Sequence, residues 1–448
     1  MTNITYGRIT SNSNNNITTT GGGTDLIATL DSGKIIAYSP GDIAWVLACS
    51  ALVWLMIPGV GFLYSGLVRG KNALSLLLLA FLSMAVVSVQ WWFWGYSLAF
   101  SSSSGLLLGN LKHIIFRGVL EQPEPAANNK IPRIVFALYQ NMFAALVPAV
   151  AIGAAAERGR IGPSMIFVFA WATVVYCPLV SWIWNPNGWA FKWGVLDYAG
   201  GVPIEICSGA TGLSYSIFLG RRRGFGTHIL NFKPHNTSHI VLGTALLWAG
   251  WLGFNGGSAY AANIKAALAI CVTNLAGSVG GIVWMLIDFR LERKWSCVGL
   301  ATGSLCGLVA ITPAGFVGMP AAALIGGLAA AISNLLTAFK HLFNFDDAMD
   351  IFACHAVSGA VGLILTGIFG SKSRASSDGF SNIGGGWVDH NWKQLYKQLA
   401  WVIAGFAWSF IMTYILMYFI NLLPHFQFRI DEEGEVVGTD VDQCGEKV

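Results

Sequence analysis

Two stretches of this chain set a titratable side chain at the same point of one small-residue pattern. EICSGATGLSYSIFLG (Glu205 to Gly220) and HAVSGAVGLILTGIFG (His355 to Gly370) share Ser, Gly, Ala, Gly, Leu and a final Gly at equal offsets. Where one copy begins with a carboxyl, the other begins with an imidazole. Imidazole titrates near neutrality, and a carboxyl donates when protonated and accepts when ionised, so the two could pass a proton between them. The bland alternative is a neutral hydrogen-bonded pair that only fastens two helices, and the residues leave both open. On a helix, offsets 0, 3, 4 and 7 fall on one face. Glu205, Ser208, Gly209 and Gly212 make one stripe, and His355, Ser358, Gly359 and Gly362 make its twin.

Other candidates flank these stretches. Asp197 in LDYAGG precedes the first, and Asp346, Asp347 and Asp350 in DDAMD precede the second. An Asp at a helix start accepts from free N–H groups and suits the helix dipole, and capping is the favoured reading of the later three. Asp197 reads equally as a cap or as negative charge lent to a cation site. Aromatic residues gather in WWFWGY (91–96), SWIWNPNGW (181–189) and WAGWLGF (248–254). Most belong to packing or to membrane interfaces, but a few facing a vestibule could hold a cation over a ring face. The apolar spans lack the carboxylate rings of a metal-ion channel.

The elements that must carry these groups are membrane helices. Of 448 residues, 54% are hydrophobic and 11% charged, and mean hydropathy is +0.59; a soluble domain has roughly a quarter charged residues. The fold class expected is an all-α polytopic membrane protein. About eleven apolar spans long enough for a bilayer lie between residues 42 and 422, the eighth at 296–312. Alternate connections carry the basic residues, such as Arg69 and Lys71, Arg158 and Arg160, and Arg221 to Arg223. The positive-inside rule sets these in the cytoplasm, with the N-terminus outside and the C-terminus cytoplasmic. The fifth and tenth spans then cross in opposite directions, giving two inverted five-helix repeats plus one C-terminal helix, a design that places sites near the midplane. Residues 1–38 are polar and expected to be a disordered extracellular segment, with glycosylation sequons at Asn3 and Asn16. Residues 39–424 form the transmembrane domain and 425–448 a cytoplasmic region. The net charge of +4 gives no nucleic-acid signal, and the eight cysteines have no metal-ligand spacing. No cofactor and no metal are expected.

Seven segments resemble the ammonium transporter family (Amt/Mep/Rh), specifically its fungal Mep branch: IPGVGFLYSGLVRGKN (57–72), LYQNMFAA (138–145), AAAERGR (154–160), LDYAGG (196–201), WAGWLGFNGGSA (248–259), DDAMDIFACHAVSG (346–359) and GGWVDHNWKQLYKQ (385–398). The resemblance implies a plasma-membrane homotrimer with a narrow apolar pore in each protomer, taking ammonium or ammonia, with methylammonium as analogue. It implies that Trp184, Phe143 and Ser258 recruit ammonium, with Tyr139 a second-tier candidate and Asp197 orienting the site from beneath. Phe143 and Phe254 resemble a phenyl gate, and Trp251 a pore-wall residue. His355 matches the second of the family's paired pore histidines. Glu205 stands where the first would be, a departure resembling the low-affinity fungal members, and it puts in doubt any mechanism needing two imidazoles.

The function this implies is ammonium uptake: the cation is deprotonated outside, ammonia crosses, and the proton moves through Glu205 and His355. An ammonium-sensing receptor and an electroneutral ammonia or carbon dioxide channel are the alternatives. A membrane enzyme using Cys354 and His355 is disfavoured, because neighbours on a helix point about 100° apart. The acidic tail, 428–448, reads either as disordered or, as the resemblance implies, packed on the cytoplasmic face to couple protomers. It is shorter than in fungal relatives, which leaves little room for distal phosphorylation.

Overall fold

The computed structural model describes residues 3–11, 17–29, 33, 35–227, 230 and 232–446. Among the described residues the frame is eleven apolar helices: α1 (Pro40–Leu67), α2 (Gly70–Phe100), α3 (Arg133–Ala155), α4 (Ile161–Trp193), α5 (Gly201–Leu219), α6 (Thr237–Gly257), α7 (Ile264–Glu292), α8 (Cys297–Ile311), α9 (Met319–Leu342), α10 (Phe352–Phe369) and α11 (Gln394–Asn421). Ten have the length and hydropathy to cross a membrane. The eighth is a 15-residue α-helix, shorter than the span expected from 296–312, and a turn at Thr312–Ala314 follows it.

Local signals start several helices where polar residues punctuate the apolar runs. Ser39 accepts from Asp42 N ahead of Pro40, Asn236 from His239 N, Asn263 from Ala266 N, and Ser296 from Gly299 N. Each satisfies an N–H that has no partner inside its helix. Packing pairs α1 with α6, α5 with α10 and α11, and groups α7, α8 and α9.

Residues 1–38 are the segment expected to be disordered. Their described part forms three antiparallel strands, β1 (Asn3–Ser11), β2 (Ile17–Thr29) and β3 (Ile35–Tyr38), in that order. Runs such as NITYGRITS and ITTT are rich in β-branched Thr and Ile, which favour extended backbone; the polar composition had hidden that. Tyr38 Oη donates to Glu121 O at 2.6 Å, joining this sheet to the 101–131 loop. Asn3 begins β1, and Asn16 lies outside the described residues.

What positions the site is the crossing of α5 and α10. A Cβ on Gly209 would lie 2.3 Å from Ala356 N, and one on Gly359 would lie 2.9 Å from Glu205 Cβ. Gly212 faces Ile351, whereas Gly362 faces Ala310 O of α8. The α5 glycines therefore lie against α10 and the residue before it, while the α10 stripe divides among α5, α8 and, through the Ser358–Ser333 contact at 2.8 Å, α9. Because the obstacle at Gly209 is backbone, the substitution Gly209→Val should lower the melting temperature of the detergent-solubilised protein, on the scale of about 1–3 kcal/mol for overpacking. Gly162→Ala, where nothing lies within 4 Å, should leave it unchanged. Wild-type melting in the Gly209 variant would mean that the helices do not touch there.

Candidate functional site

Glu205 and His355 each sit in a π-helical turn, Gly201–Ile206 and Phe352–Val357, at the start of α5 and α10. Such wide turns recur at functional sites. Gly200, at φ 119°, makes the sharp entry to the first, a conformation that costs glycine little. His355 Nδ1 lies 3.0 Å from Glu205 Oε2. Glu205 Oε1 has no hydrogen-bond partner among the described residues. Both side chains are buried, and they border a narrow cavity with Val60, Tyr64, Leu146 and Trp251. Its free volume is about 20 Å³, room for one molecule the size of water. Trp251 is held by Nε1 donating to Thr312 Oγ1 at 2.9 Å. Thr312 carried no sequence signal, because it comes into reach only through the turn after α8.

Toward the 101–131 loop, aromatic side chains from three helices converge. Phe143 of α3 stacks on Phe254 of α6, with centroids 4.1 Å apart and planes at 28°. Trp184 of α4 meets Phe143 edge-on at 6.1 Å, and Tyr139, one turn before Phe143, lies 4.7 Å from it. Tyr139 Oη is 3.3 Å from Ser258 Oγ. Ser258 follows the end of α6 and donates to Phe254 O, which leaves its oxygen free to accept. Trp251 lies 5.8 Å from Phe254. All six aromatic and hydroxyl residues singled out from sequence thus form one contiguous group.

Asp197 lies beneath Trp184. Its carboxylate accepts from Gly200 N at 3.1 Å, Gly201 N, Val202 N at 2.9 Å and Trp401 Nε1 at 2.9 Å. Its backbone carbonyl accepts from Trp184 Nε1 at 3.2 Å. Capping is therefore what the side chain does, and four donors occupy its lone pairs. Asp347 is its twin. Asp197 stands eight residues before Glu205 and Asp347 eight before His355, and Asp347 Oδ2 accepts from Phe352 N at 2.8 Å. The capping expected of Asp346 and Asp350 is not found. Asp350 pairs with Lys340 at 2.7 Å and Asp346 with Arg222 at 2.8 Å, because each lies beside a cation from another segment that sequence proximity does not reveal.

At the basic face, Glu157 is clamped by Arg69 at 2.7 Å and Arg222 at 3.1 Å. Burial alone would raise this carboxyl, but the Arg69 hydrogen bonds and the Arg222 charge hold it below its ordinary range. The tail packs here instead of being disordered. Asp440 accepts from Leu74 N and Ser75 N at the start of α2, and Glu435 Oε1 accepts from Arg223 N.

A polytopic helical protein with an aromatic cluster at one face and a buried carboxyl–imidazole pair at its centre has the makings of a membrane transporter for a small solute. A family model for the Ammonium Transporter Family matches residues 44–448. Ammonium transporter 2 of Schizosaccharomyces pombe is 50% identical over 417 residues, 91% of this chain and 81% of that protein. Ammonium transporter MEP2 of Saccharomyces cerevisiae is 44% identical over 433 residues, 95% and 86% of the two chains. The crystal structure of Candida albicans Mep2 superposes with a TM-score of 0.84 at 43% identity, covering 88% of this chain and 87% of that one. The chain belongs to the Ammonium Transporter Family, of the fungal Mep type, and its activity is ammonium transport across a membrane. The family is one of transporters rather than enzymes.

The twin caps differ electrostatically. No side-chain donor reaches Asp347 Oδ1, and burial, reinforced by the charge of Asp350, pushes its carboxyl up to about 6. A carboxyl raised in the folded state gives stability that is complete below its unfolded value near 4 and lost as pH rises through about 6, roughly 3 kcal/mol at full titration. Between pH 4 and 6.5 the melting temperature of the wild-type protein should therefore fall relative to Asp347→Asn. Parallel curves for the two proteins would show that Asp347 does not titrate there.

Proposed function

We propose that the protein takes ammonium into the cell by separating the cation into ammonia and a proton and carrying both across. The basic connections place the tail in the cytoplasm, so the aromatic cluster faces outside. There Trp184, Phe143 and Tyr139 present ring faces and Ser258 presents an acceptor oxygen, a setting in which cation–π attraction and one hydrogen bond replace part of the hydration shell. Potassium is close to ammonium in size and would be held there as well. Selection comes one step later. Phe143 and Phe254 leave an apolar passage, and a bare cation entering it loses solvation that nothing repays. Ammonium alone among such ions can leave its proton behind and enter as neutral ammonia.

The proton then takes the route through Glu205 and His355, which share a hydrogen bond between α5 and α10. The single observation that carries this reading is Glu205 Oε1, a buried oxygen without a partner beside a cavity that admits one small molecule. Trp251 closes that cavity as pore wall. Asp197 acts by orienting the recruitment site, since its four donors leave no oxygen for the cation. The same reading makes the protein a homotrimer of the plasma membrane, with its N-terminal sequons on the outer side, as the family resemblance implies.

Reconstituted protein should move one positive charge for each ammonium taken up, and potassium should carry none. His355→Ala and Glu205→Gln should each lower the ammonium-driven current by about a hundredfold or more, the least expected from losing an acid–base relay group. Uptake without charge would replace this reading by an electroneutral ammonia channel. A His355 variant that keeps saturable, electrogenic, potassium-excluding uptake would remove His355 from the path.

A further inference from the structure

The two halves of the molecule cap their site helices with the same residue at the same place, yet only one cap is held from outside its own half. Asp347 receives a backbone N–H five residues on and no side-chain donor. Asp197 receives the matching N–H from Val202, two more from Gly200 and Gly201, and then an indole N–H from Trp401. Trp401 belongs to α11, the helix left over after the two five-helix repeats. Its side chain is fully buried, and its ring lies edge-on to Trp189 at 5.6 Å and Trp182 at 6.4 Å. The indole has one hydrogen to give, and it gives it to Asp197 Oδ2.

We infer that Trp401 is a positioning residue for ammonium recruitment. By fixing Oδ2 of Asp197 it keeps the carboxylate turned onto the Gly200–Val202 amides. That in turn sets the Asp197 carbonyl that anchors Trp184 Nε1, and Trp184 is the ring that meets Phe143 at the mouth of the passage. Without the indole hydrogen, Asp197 Oδ2 keeps Val202 N alone, and the carboxylate can rotate within the amides that still hold it. The hold on Trp184 then weakens. The inference rests on the recruitment role proposed for Trp184 and Asp197.

Trp401→Phe removes the hydrogen and keeps an aromatic ring. In the full-length protein its KM for ammonium should rise by roughly tenfold, the scale of one hydrogen bond to a charged group, with a smaller change in maximal rate, and melting temperature should stay at the wild-type value. Should the smaller ring lower the melting temperature, benzothienylalanine at position 401 keeps the bicyclic shape without the N–H and should give the same kinetic result. In an Asp197→Asn background the Phe substitution should add nothing further. Wild-type KM in the N–H-less variants overturns the inference, as does a lower melting temperature alone. If Asp197→Asn itself leaves recruitment unchanged, the role proposed for Asp197 fails; if Trp401→Phe still raises KM in that background, Trp401 acts by another route.

Discussion

The structure depends on two helices touching backbone to backbone at the middle of the molecule. Only with hydrogen at positions 209 and 359 do α5 and α10 approach closely enough for Glu205 Oε2 and His355 Nδ1 to share a hydrogen bond. A carboxyl and an imidazole separated in an apolar interior would each pay the cost of burial alone, whereas together each is the other's solvent. Neither helix is regular at this point. Both open into π-helical turns, whose extra backbone per turn shifts the side chain from the face that regular helix spacing would give it. The caps at Asp197 and Asp347 fix where those wide turns begin.

The repeat gives the site two matched halves, and the rest of the chain makes them unequal. On the outer side the 101–131 loop, the aromatic cluster and Trp401 surround the first cap. On the inner side Arg222, Lys340 and the packed tail surround the second, with Arg222 paired to Asp346 and Glu157 and Lys340 paired to Asp350. Asp346 joins the two worlds: its carboxylate holds Arg222, and its carbonyl accepts from Arg158 Nη2 at 2.7 Å, one residue before the cap of the His355 helix. The tail contact at Arg223 N thus lies one residue from the Arg222–Asp346 pair that precedes α10.

Much of this is legible in the sequence wherever a local pattern carries the information. Apolar length marks the membrane spans, and the shared offsets of the two Gly/Ala/Ser stretches mark Glu205 and His355 as partners. The aromatic residues at the outer mouth are recoverable because they lie in segments that resemble a known family. What stays hidden depends on contacts between distant segments. Nothing near residue 401 announces that its indole faces Asp197, and nothing near 312 announces Trp251. Offsets of 0, 3, 4 and 7 describe an α-helix, so they hide the π-helical turns. Among three aspartates within five residues, only the one in register with Asp197 caps. At the N-terminus, polar composition masks the Thr and Ile that favour extended backbone in the described strands.

The carboxyl in place of an imidazole changes the charge the pair carries. Two neutral imidazoles that take one proton become a cation buried in apolar surroundings. A carboxylate and an imidazole start from one negative charge, and the first proton makes them neutral overall, whether it rests on Glu205 or on His355. Loading a proton from outside then removes net charge from the interior instead of creating it, which lowers the desolvation cost at the step where a relay deep in a membrane is most hindered. Releasing that proton inward restores the negative charge, and the penalty moves to the second half of the path. The inner half is where Asp347 and the paired basic face lie. In the proposed relay the substitution of glutamate therefore favours uptake of the proton over its release, and makes release the step that the inner face must assist.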